Sequence, residues 1–190
     1  GVSVKLVPGG SLDRIRWEVF FTRELLRELL GVKCVGVRGP YGYYRGLMDR
    51  PDVLQVLHEA GIRFTSTWGR NHKDWHPTPI EVQPFWYELQ GFPDILEIPF
   101  QFWQDVPWRN LHGWDNLDGF LKTLKGYAEE AQAKGLDWGF VSHDWTVIKS
   151  DPEASVLRRF LEYGKERGFA FASYLGYYRR RARLDGRPSV

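Results

Sequence analysis

Two polar residues, each placed directly after an apolar run, could perform chemistry in this sequence. Arg38 follows Val35-Gly36-Val37 and precedes Gly39-Pro40-Tyr41, and His143 follows Val141-Ser142. Buried parallel strands end in this way where they open into a site. An arginine there can anchor a carboxylate, and a histidine can transfer a proton near neutral pH. The pattern predicts a site that uses both side chains. The structural alternatives are a core-edge ion pair for the arginine and a hydrogen-bonded strand-end position for the histidine.

His72 and His76 have the spacing of two metal ligands on one face of a helix. Gly69 precedes them, and Pro77 and Pro79 follow directly, which disfavours a helix. We therefore interpret this segment as a solvated loop and retain the two histidines as candidates for a metal site.

Aromatic residues are unusually numerous: 9 Trp, 9 Tyr and 12 Phe make up 16% of the chain. They concentrate between Trp68 and Trp145, largely in proline-rich stretches without helical or strand periodicity. Aromatic residues in loops can line a cleft for a ligand with C–H faces, such as a sugar, or fold back onto the core as lids. The sequence leaves both interpretations open.

A unit that recurs along the chain consists of a helical pattern, a glycine and a short apolar run. The helical patterns cover residues 11–31, 52–61, 117–135 and 151–168, with Ser11 and Asp151 as N-cap residues. The apolar runs that we interpret as strands are Lys33–Val37, Ile62–Thr67, Ile95–Ile98, Leu136–Val141 and Phe169–Ser173. This alternation is typical of an α/β protein with a parallel sheet, either open or closed into a barrel.

Composition narrows the class of protein. With 190 residues, 43% of them apolar, the chain can bury the core of one domain, and its net charge is only +2. We expect residues 176–190 to form a solvated basic tail rather than an arm that binds nucleic acid.

The single cysteine, Cys34, allows no internal disulfide and favours a reducing compartment. We find no signal peptide and no apolar stretch of the ~20 residues that span a bilayer, and therefore expect a cytoplasmic protein without a membrane partner.

The order of several motifs resembles one family. Arg38-Gly39-Pro40-Tyr41 resembles the Arg-x-Pro-Tyr/Phe motif of the polysaccharide deacetylases, the NodB-homology group also called carbohydrate esterase family 4. Further segments that are similar to the layout of that family are Leu29–Gly31, Leu57–Ile62, Phe64–Asn71, Gln83–Tyr87, Leu96–Pro99 and Val141–His143. The resemblance extends from about Leu12 to Tyr174.

The resemblance implies a distorted or incomplete (β/α) barrel with parallel strands, in which residues 1–190 form a single domain. It also implies a divalent metal, often zinc, held by an aspartate and two histidines, with a second aspartate as general base. The family carries those residues before the helix that starts here at Ser11, and Gly1–Gly10 contains no Asp, Glu or His. The chain therefore resembles such a domain without its N-terminal metal motifs.

By the same resemblance, Arg38 orients the catalytic base and His143 is the general acid that protonates the departing amine. The residues that we expect to contact the substrate are Pro40, Tyr41, Trp68 and Trp145.

The expected function is hydrolysis of N-acetyl amide bonds in carbohydrate, or of a related small amide. The enzyme would be a metal-dependent hydrolase acting on non-peptide carbon–nitrogen bonds, provided that the missing metal motifs are supplied. Two alternatives are a non-catalytic relative that binds carbohydrate or serves as a scaffold, and the C-terminal part of a split or truncated deacetylase. Because strands of the barrel are missing, we expect a homo-oligomer, or a partner chain, to cover exposed strand edges.

Overall fold

The computed structural model describes residues 10–188 and residue 190. Within these residues the helices are α1 (Leu12–Leu30), α2 (Pro51–Glu59), α3 (Asp105–His112), α4 (Leu117–Lys134), α5 (Asp144–Ser150), α6 (Ser155–Glu166) and α7 (Tyr174–Leu184). The strands are β1 (Gly36–Tyr43), β2 (Phe64–Trp68), β3 (Phe85–Tyr87) and β4 (Phe92–Glu97). The mixed α/β class expected from the alternating pattern is confirmed.

The strands form one sheet with the order β1-β2-β4-β3. β2 pairs in parallel with β1 and with β4, so that Phe64 lies opposite both Gly36 and Leu96. β3 runs antiparallel to β4. The expected parallel pairing therefore holds for β1, β2 and β4 but not for β3. A barrel is not confirmed, because the sheet stays open within the described part of the chain.

The contacts within the chain define two compact units. The first unit comprises Gly1–Gly69, Pro84–Ile98 and Ala172–Val190, and it contains the whole sheet together with α1, α2 and α7. The second comprises Arg70–Gln83 and Pro99–Phe171, and it contains α3 to α6. Each unit is assembled from separate stretches of chain, which is why no single linker in the sequence marks a boundary.

The core of the first unit forms where α2 packs on the sheet. Pro51 begins this helix, a position where its missing N–H costs nothing. Val53 and Leu57 are buried beside Ile95 of β4, in a cluster that Ile15 of α1 also joins. Ile15 is the one buried residue of α1, so most of this 19-residue helix faces solvent.

The segment 176–190, expected to be a basic tail, contains most of helix α7. Tyr177, Tyr178 and Ala182 are buried, and the ring centroid of Tyr178 lies 5.8 Å from that of Phe64 in β2. The exposed side of the helix carries Arg179, Arg180 and Arg183. An apolar row on one side of α7 therefore attaches this basic segment to the sheet.

The second unit is built around α4 and α6. α4 spans the residues predicted for it, and Gly135 ends it in the left-handed conformation, with φ 64°. Phe120 and Leu124 of α4 are buried in one cluster with Phe160 of α6.

The prediction of a strand at Leu136–Val141 is wrong, because these residues have no strand pairing in the structure. Glutamine side chains provide the hydrogen bonds that a neighbouring strand would have made. The Asp137 N–H donates to Oε1 of Gln83 at 2.9 Å, and the Gly139 N–H donates to Oε1 of Gln101 at 2.7 Å. The backbone hydrogen bond from the Gln101 N–H to the carbonyl oxygen of Gly139, at 3.2 Å, does not continue into a strand ladder. The prediction of a strand at Phe169–Ser173 is also wrong, since this segment has no ladder partner among the described residues.

None of the helices in the described ranges has both the length and the apolar character needed to cross a membrane.

Candidate active site

His143 lies at the start of α5, and a buried aspartate of α3 holds it in place. Nδ1 of His143 is 2.8 Å from Oδ1 of Asp105, and the backbone N–H of His143 donates to Oδ2 at 2.7 Å. Asp105 is the first residue of α3, where a negative charge also suits the positive end of the helix dipole. The predicted site residue His143 is therefore anchored twice to one carboxyl group.

The carboxyl group of Asp105 has further donors around it. The Thr146 hydroxyl donates to Oδ2 at 2.6 Å, and the Val106 N–H donates to Oδ1 at 2.8 Å. The Asp105 side chain is wholly buried, whereas the His143 side chain is 46% exposed. This set of donors satisfies the hydrogen-bonding capacity of the buried carboxyl group. A carboxylate at Oδ1 keeps the proton of neutral imidazole on Nδ1, so Nε2 is the atom that can exchange a proton.

Arg109, one helical turn after Asp105 on α3, adds a positive charge to this environment. Burial lowers the pKa of Arg109 below its usual value, although the charges of Asp105 and Asp151 oppose that change. Its Nη1 donates to the carbonyl oxygen of Trp114 at 2.9 Å, and its guanidinium lies 4.6 Å from the ring centroid of Phe120. Arg109 therefore supports the negative charge of Asp105 and also fixes the loop after α3.

Trp145, predicted to contact substrate, lies beside His143. Its ring centroid is 5.7 Å from that of His143 and 5.8 Å from that of Trp114, and 48% of the residue is exposed. The structure therefore brings together two of the predicted site residues, one with a transferable proton and one with an open aromatic face.

Arg38, Pro40 and Tyr41 lie on β1 in the first unit. This strand begins at Gly36, later than the predicted Lys33–Val37, and its register with β2 is irregular between Arg38 and Tyr43. Tyr41 has a φ of 64° and is 74% exposed. The guanidinium of Arg38 lies 4.8 Å from the ring centroid of Tyr174 on α7. The three predicted residues line a cavity of about 430 Å³ together with side chains of α1 and α2.

Trp68 ends β2 in the same unit and is half-buried. Its ring contacts Tyr44 and Phe85 edge to face, each with a centroid separation of 6.0 Å. Its backbone N–H donates to Oε1 of Glu97 at 2.7 Å. Trp68 is therefore fixed through both its ring and its backbone.

Glu97 is a wholly buried carboxylate that the sequence analysis did not select. Oε2 accepts hydroxyl hydrogen bonds from Thr65 at 2.5 Å, Thr67 at 2.7 Å and Tyr87 at 2.7 Å. Oε1 accepts the backbone N–H groups of Thr67 and Trp68 at 2.6 and 2.7 Å. These five donors satisfy the buried carboxyl group and cross-link β2, β3 and β4.

Tyr87 extends this network towards the loop after β1. Its hydroxyl oxygen accepts the backbone N–H of Leu47 at 3.0 Å while its proton goes to Glu97. Burial first, and the charge of Glu97 second, raise the pKa of Tyr87 well above its usual range. The network holds the loop in which Arg45 and Gly46 have left-handed φ values.

His72 and His76 lie in a loop, as the flanking glycine and prolines predict. His72 is exposed and His76 is buried, so the two side chains do not share a solvent-facing surface. Among the described residues no group of three or more His, Cys, Asp or Glu side chains is arranged to hold a metal ion.

The sequence analysis missed Asp105, Thr146 and Glu97. Asp105 stands in an aromatic, proline-containing stretch that was interpreted as loop, although an acid two residues before Pro107 is typical of a helix start. Glu97 interrupts the apolar run Ile95–Ile98, and a single acid in such a run indicates a buried and satisfied charge.

No family model, no curated protein and no solved structure matches this chain. The resemblance to polysaccharide deacetylases therefore stays a prediction, and the arrangement around His143 has to be interpreted from its own geometry.

Proposed function

We propose that this chain is an amide hydrolase of the polysaccharide deacetylase type, acting on N-acetyl groups of carbohydrate or on a related small amide. One observation carries the proposal: the buried carboxylate of Asp105 holds Nδ1 of the half-exposed His143 at 2.8 Å. A carboxylate that orients an imidazole is the arrangement in which histidine acts as general acid or base.

In the proposed reaction, His143 moves the proton that amide hydrolysis requires. Nε2 of neutral His143 takes a proton from the water molecule as the water oxygen adds to the carbonyl carbon. The carbon–nitrogen bond then breaks as Nε2–H of the protonated His143 returns that proton to the departing amine nitrogen. The products are the free amine and acetic acid, which ionises to acetate by releasing its proton to the amine or to water. Asp105 stabilises the imidazolium form that gives up this proton and keeps the ring in one orientation.

The resemblance also implies a divalent metal. Whether this chain could hold one depends on which metal-binding side chains lie close together. The described residues do not assemble a three-ligand set, and His72 and His76 differ in exposure, so the residues present do not fit the zinc site of that family. We therefore assign no step to a metal. The proposed steps use only His143 and Asp105.

Within the proposal, the family resemblance gives Arg38 the role of orienting a carboxylate and gives Pro40, Tyr41 and Trp68 the role of substrate contacts. The open sheet corresponds to part of a distorted or incomplete barrel, whose edge strands β1 and β3 would be covered in a homo-oligomer or by a partner chain. Light scattering of the purified chain tests this assembly, and a monomer at micromolar concentration would contradict it.

The second candidate is a carbohydrate-binding relative without catalytic activity. The observation that favours it is that Trp145 is half-exposed and lies next to Trp114. The two rings could bind a sugar even if His143 catalyses no hydrolysis.

Acetate release from an N-acetylglucosamine tetramer, with and without Zn²⁺, tests the proposal in the full chain. We expect acetate release by the wild type and a fall in kcat of about 10²-fold or more in His143→Ala, with little change in KM. His112→Ala is the matched control, because His112 is another exposed histidine of the same unit and contacts Trp108 rather than Asp105. A His143→Ala variant that keeps the full rate contradicts the assignment. A wild type that binds the tetramer but releases no acetate supports the binding protein instead.

A further inference from the structure

Helix α1 exposes a row of large apolar side chains along its outer side. Ile15 is the one buried residue of this helix, so the row lies outside the core. The row consists of side chains spaced four residues apart, each between 40% and 71% exposed: Trp17, Phe21, Leu25 and Leu29. Single exposed apolar residues are common on proteins, but a continuous row of this kind marks an interaction surface.

Contacts within the helix order the first part of this row. The rings of Trp17 and Phe21 are stacked, with centroids 5.0 Å apart and planes inclined by 7°. The guanidinium of Arg14 lies 4.9 Å from the ring centroid of Trp17, and its Nε donates to Oε1 of Glu18 at 2.5 Å. Because these side chains are already ordered, a partner that packs on them causes little further loss of conformational entropy.

The charges of α1 favour a protein partner over an anionic membrane. The helix contains four arginines and four acidic residues, so its formal charge is zero. Helices that lie on anionic lipid combine an apolar face with an excess of Lys and Arg. Helix α1 has the apolar face without that excess.

A second copy of α1 fits this surface in antiparallel orientation. Arg14 and Glu28 each lie seven residues, about two turns, from Phe21 and therefore on the same side of the helix. A two-fold axis at Phe21 places Glu28 of the partner subunit level with Arg14, and Leu25 of the partner subunit level with Trp17. The symmetry repeats both relations on the other side of the axis. Opposite charges thus meet at both ends of the row, whereas a parallel pair would place like charges together.

The area of the row suits a dimer of modest affinity. From their exposed fractions, the four apolar side chains offer on the order of 400 Å² of surface per copy. Two copies would bury roughly 800 Å² of apolar surface in total, and the flanking charged side chains would add to it, which is the lower end for specific interfaces. We therefore expect a dissociation constant in the micromolar range.

We propose that the outer side of α1, centred on Phe21, is a dimer interface that binds α1 of a second copy in antiparallel orientation. This interface is separate from the edge strands β1 and β3. It does not rest on the proposed hydrolase activity, so acetate release by a monomeric variant leaves it untouched.

Sedimentation velocity of the full chain at about 1–100 µM tests the interface. We expect a reversible dimer in the wild type and an at least tenfold higher dissociation constant in Phe21→Glu, which places two carboxylates together at the axis. Leu184→Glu is the matched control, because Leu184 is 71% exposed on α7 of the same unit, and it should change the constant by no more than about twofold. A wild type that stays monomeric, or a dimer that both variants weaken equally or neither weakens, overturns the proposal.

Arg14→Glu and Glu28→Arg test the antiparallel orientation. Each variant alone places like charges at both ends of the row, and we expect its dimer to be at least about threefold weaker than that of the wild type. An equimolar mixture of the two should recover the wild-type affinity, since every contact between positions 14 and 28 then joins opposite charges. A mixture that associates no more tightly than either variant alone rejects this orientation.

Oxidative cross-linking tests the position of the axis. In a Cys34→Ser background treated with diamide, Phe21→Cys should form a disulfide-linked dimer, because residue 21 meets its own counterpart. Leu29→Cys in the same background should not, since its counterpart would lie about 24 Å away along the helix axis. Equal cross-linking of the two variants, or none in Phe21→Cys at concentrations where the background protein is dimeric, assigns self-association to another surface and overturns the α1 interface.

Discussion

Asp105 and His143 are joined by a 2.8 Å hydrogen bond although their exposure differs greatly: the aspartate side chain is wholly buried, and the histidine side chain is 46% exposed. The carboxylate is therefore shielded from water and salt, while the far side of the imidazole stays accessible. This asymmetry orients the ring from within the second unit and presents Nε2 outward.

Asp105→Asn should impair proton transfer more than it impairs folding. Both oxygens of the carboxylate accept hydrogen bonds, whereas an asparagine amide has one accepting oxygen and one NH₂ group. If the NH₂ group faced Nδ1 of His143, it would favour the tautomer with the proton on Nε2. We expect kcat for acetate release to fall by about 10²-fold or more. Nitrogen NMR of His143 should show the proton moved from Nδ1 to Nε2. Asp118→Asn serves as the control, because that side chain is 86% exposed and pairs with Arg159 rather than with His143. An unchanged tautomer together with an unchanged rate would refute the role of Asp105.

Glu97→Gln should destabilise the first unit. Five donors surround the carboxylate, and a glutamine amide leaves at least one of them facing an NH₂ group in a buried site. We expect a loss of about 3 kcal/mol in the free energy of unfolding, measured by urea titration. Glu18→Gln should change it by about 0.5 kcal/mol at most, since Glu18 forms an exposed i,i+4 pair with Arg14. Equal stability of the two variants would show that the buried network contributes no more than a surface pair.

Gly46→Ala should be costly for two separate reasons. Gly46 has a φ of 58°, and a Cβ atom there would lie 2.8 Å from the Tyr87 hydroxyl oxygen and 2.9 Å from Oγ1 of Thr67. We expect a loss of about 2 kcal/mol or more in the free energy of unfolding. Gly31→Ala isolates the backbone contribution, because Gly31 has a φ of 64° and open space around its Cβ position. The Gly31→Ala variant should lose about 1 kcal/mol of unfolding free energy. A Gly46→Ala variant that loses no more than this would argue against close packing of the network.

Tyr87 should make the protein less stable at alkaline pH. Burial and the charge of Glu97 raise its pKa in the folded state. The unfolded chain therefore releases the phenol proton first, and stability that is fully present below about pH 10 falls as the pH rises above it. Tyr87→Phe should lower the urea midpoint at pH 8, because the variant lacks the hydrogen bonds of the hydroxyl group. It should also make the urea midpoint fall less steeply between pH 9 and pH 11. Tyr41→Phe, at a position that is 74% exposed, should leave the decline as steep as in the wild type. Parallel declines in all three proteins would contradict the prediction.

Local patterns in the sequence predicted the elements that local interactions determine. Helix α4 was located to the residue by its apolar spacing and by Gly135, and Gly31 correctly ended α1. The apolar runs that became β2 and β4 were recognised because buried parallel strands are apolar on both faces.

The errors arise where a distant side chain decides the local structure. Residues 136–141 have the composition of a strand, but amides of Gln83 and Gln101 bind their backbone groups. No local pattern reveals a partner 54 residues away in sequence, as Gln83 is from Asp137. Asp105 escaped notice for the same reason, since its partner His143 is 38 residues further along the chain.

The most direct test of the account is chemical rescue of His143→Gly by imidazole, measured as acetate release from the N-acetylglucosamine tetramer. The space left by a half-exposed side chain admits free imidazole, and the carboxylate of Asp105 remains to orient it. We predict that imidazole restores activity in a saturable manner to His143→Gly and has no effect on His112→Gly. Activity in His143→Gly that equals the wild type without imidazole would contradict the claim that His143 transfers the proton.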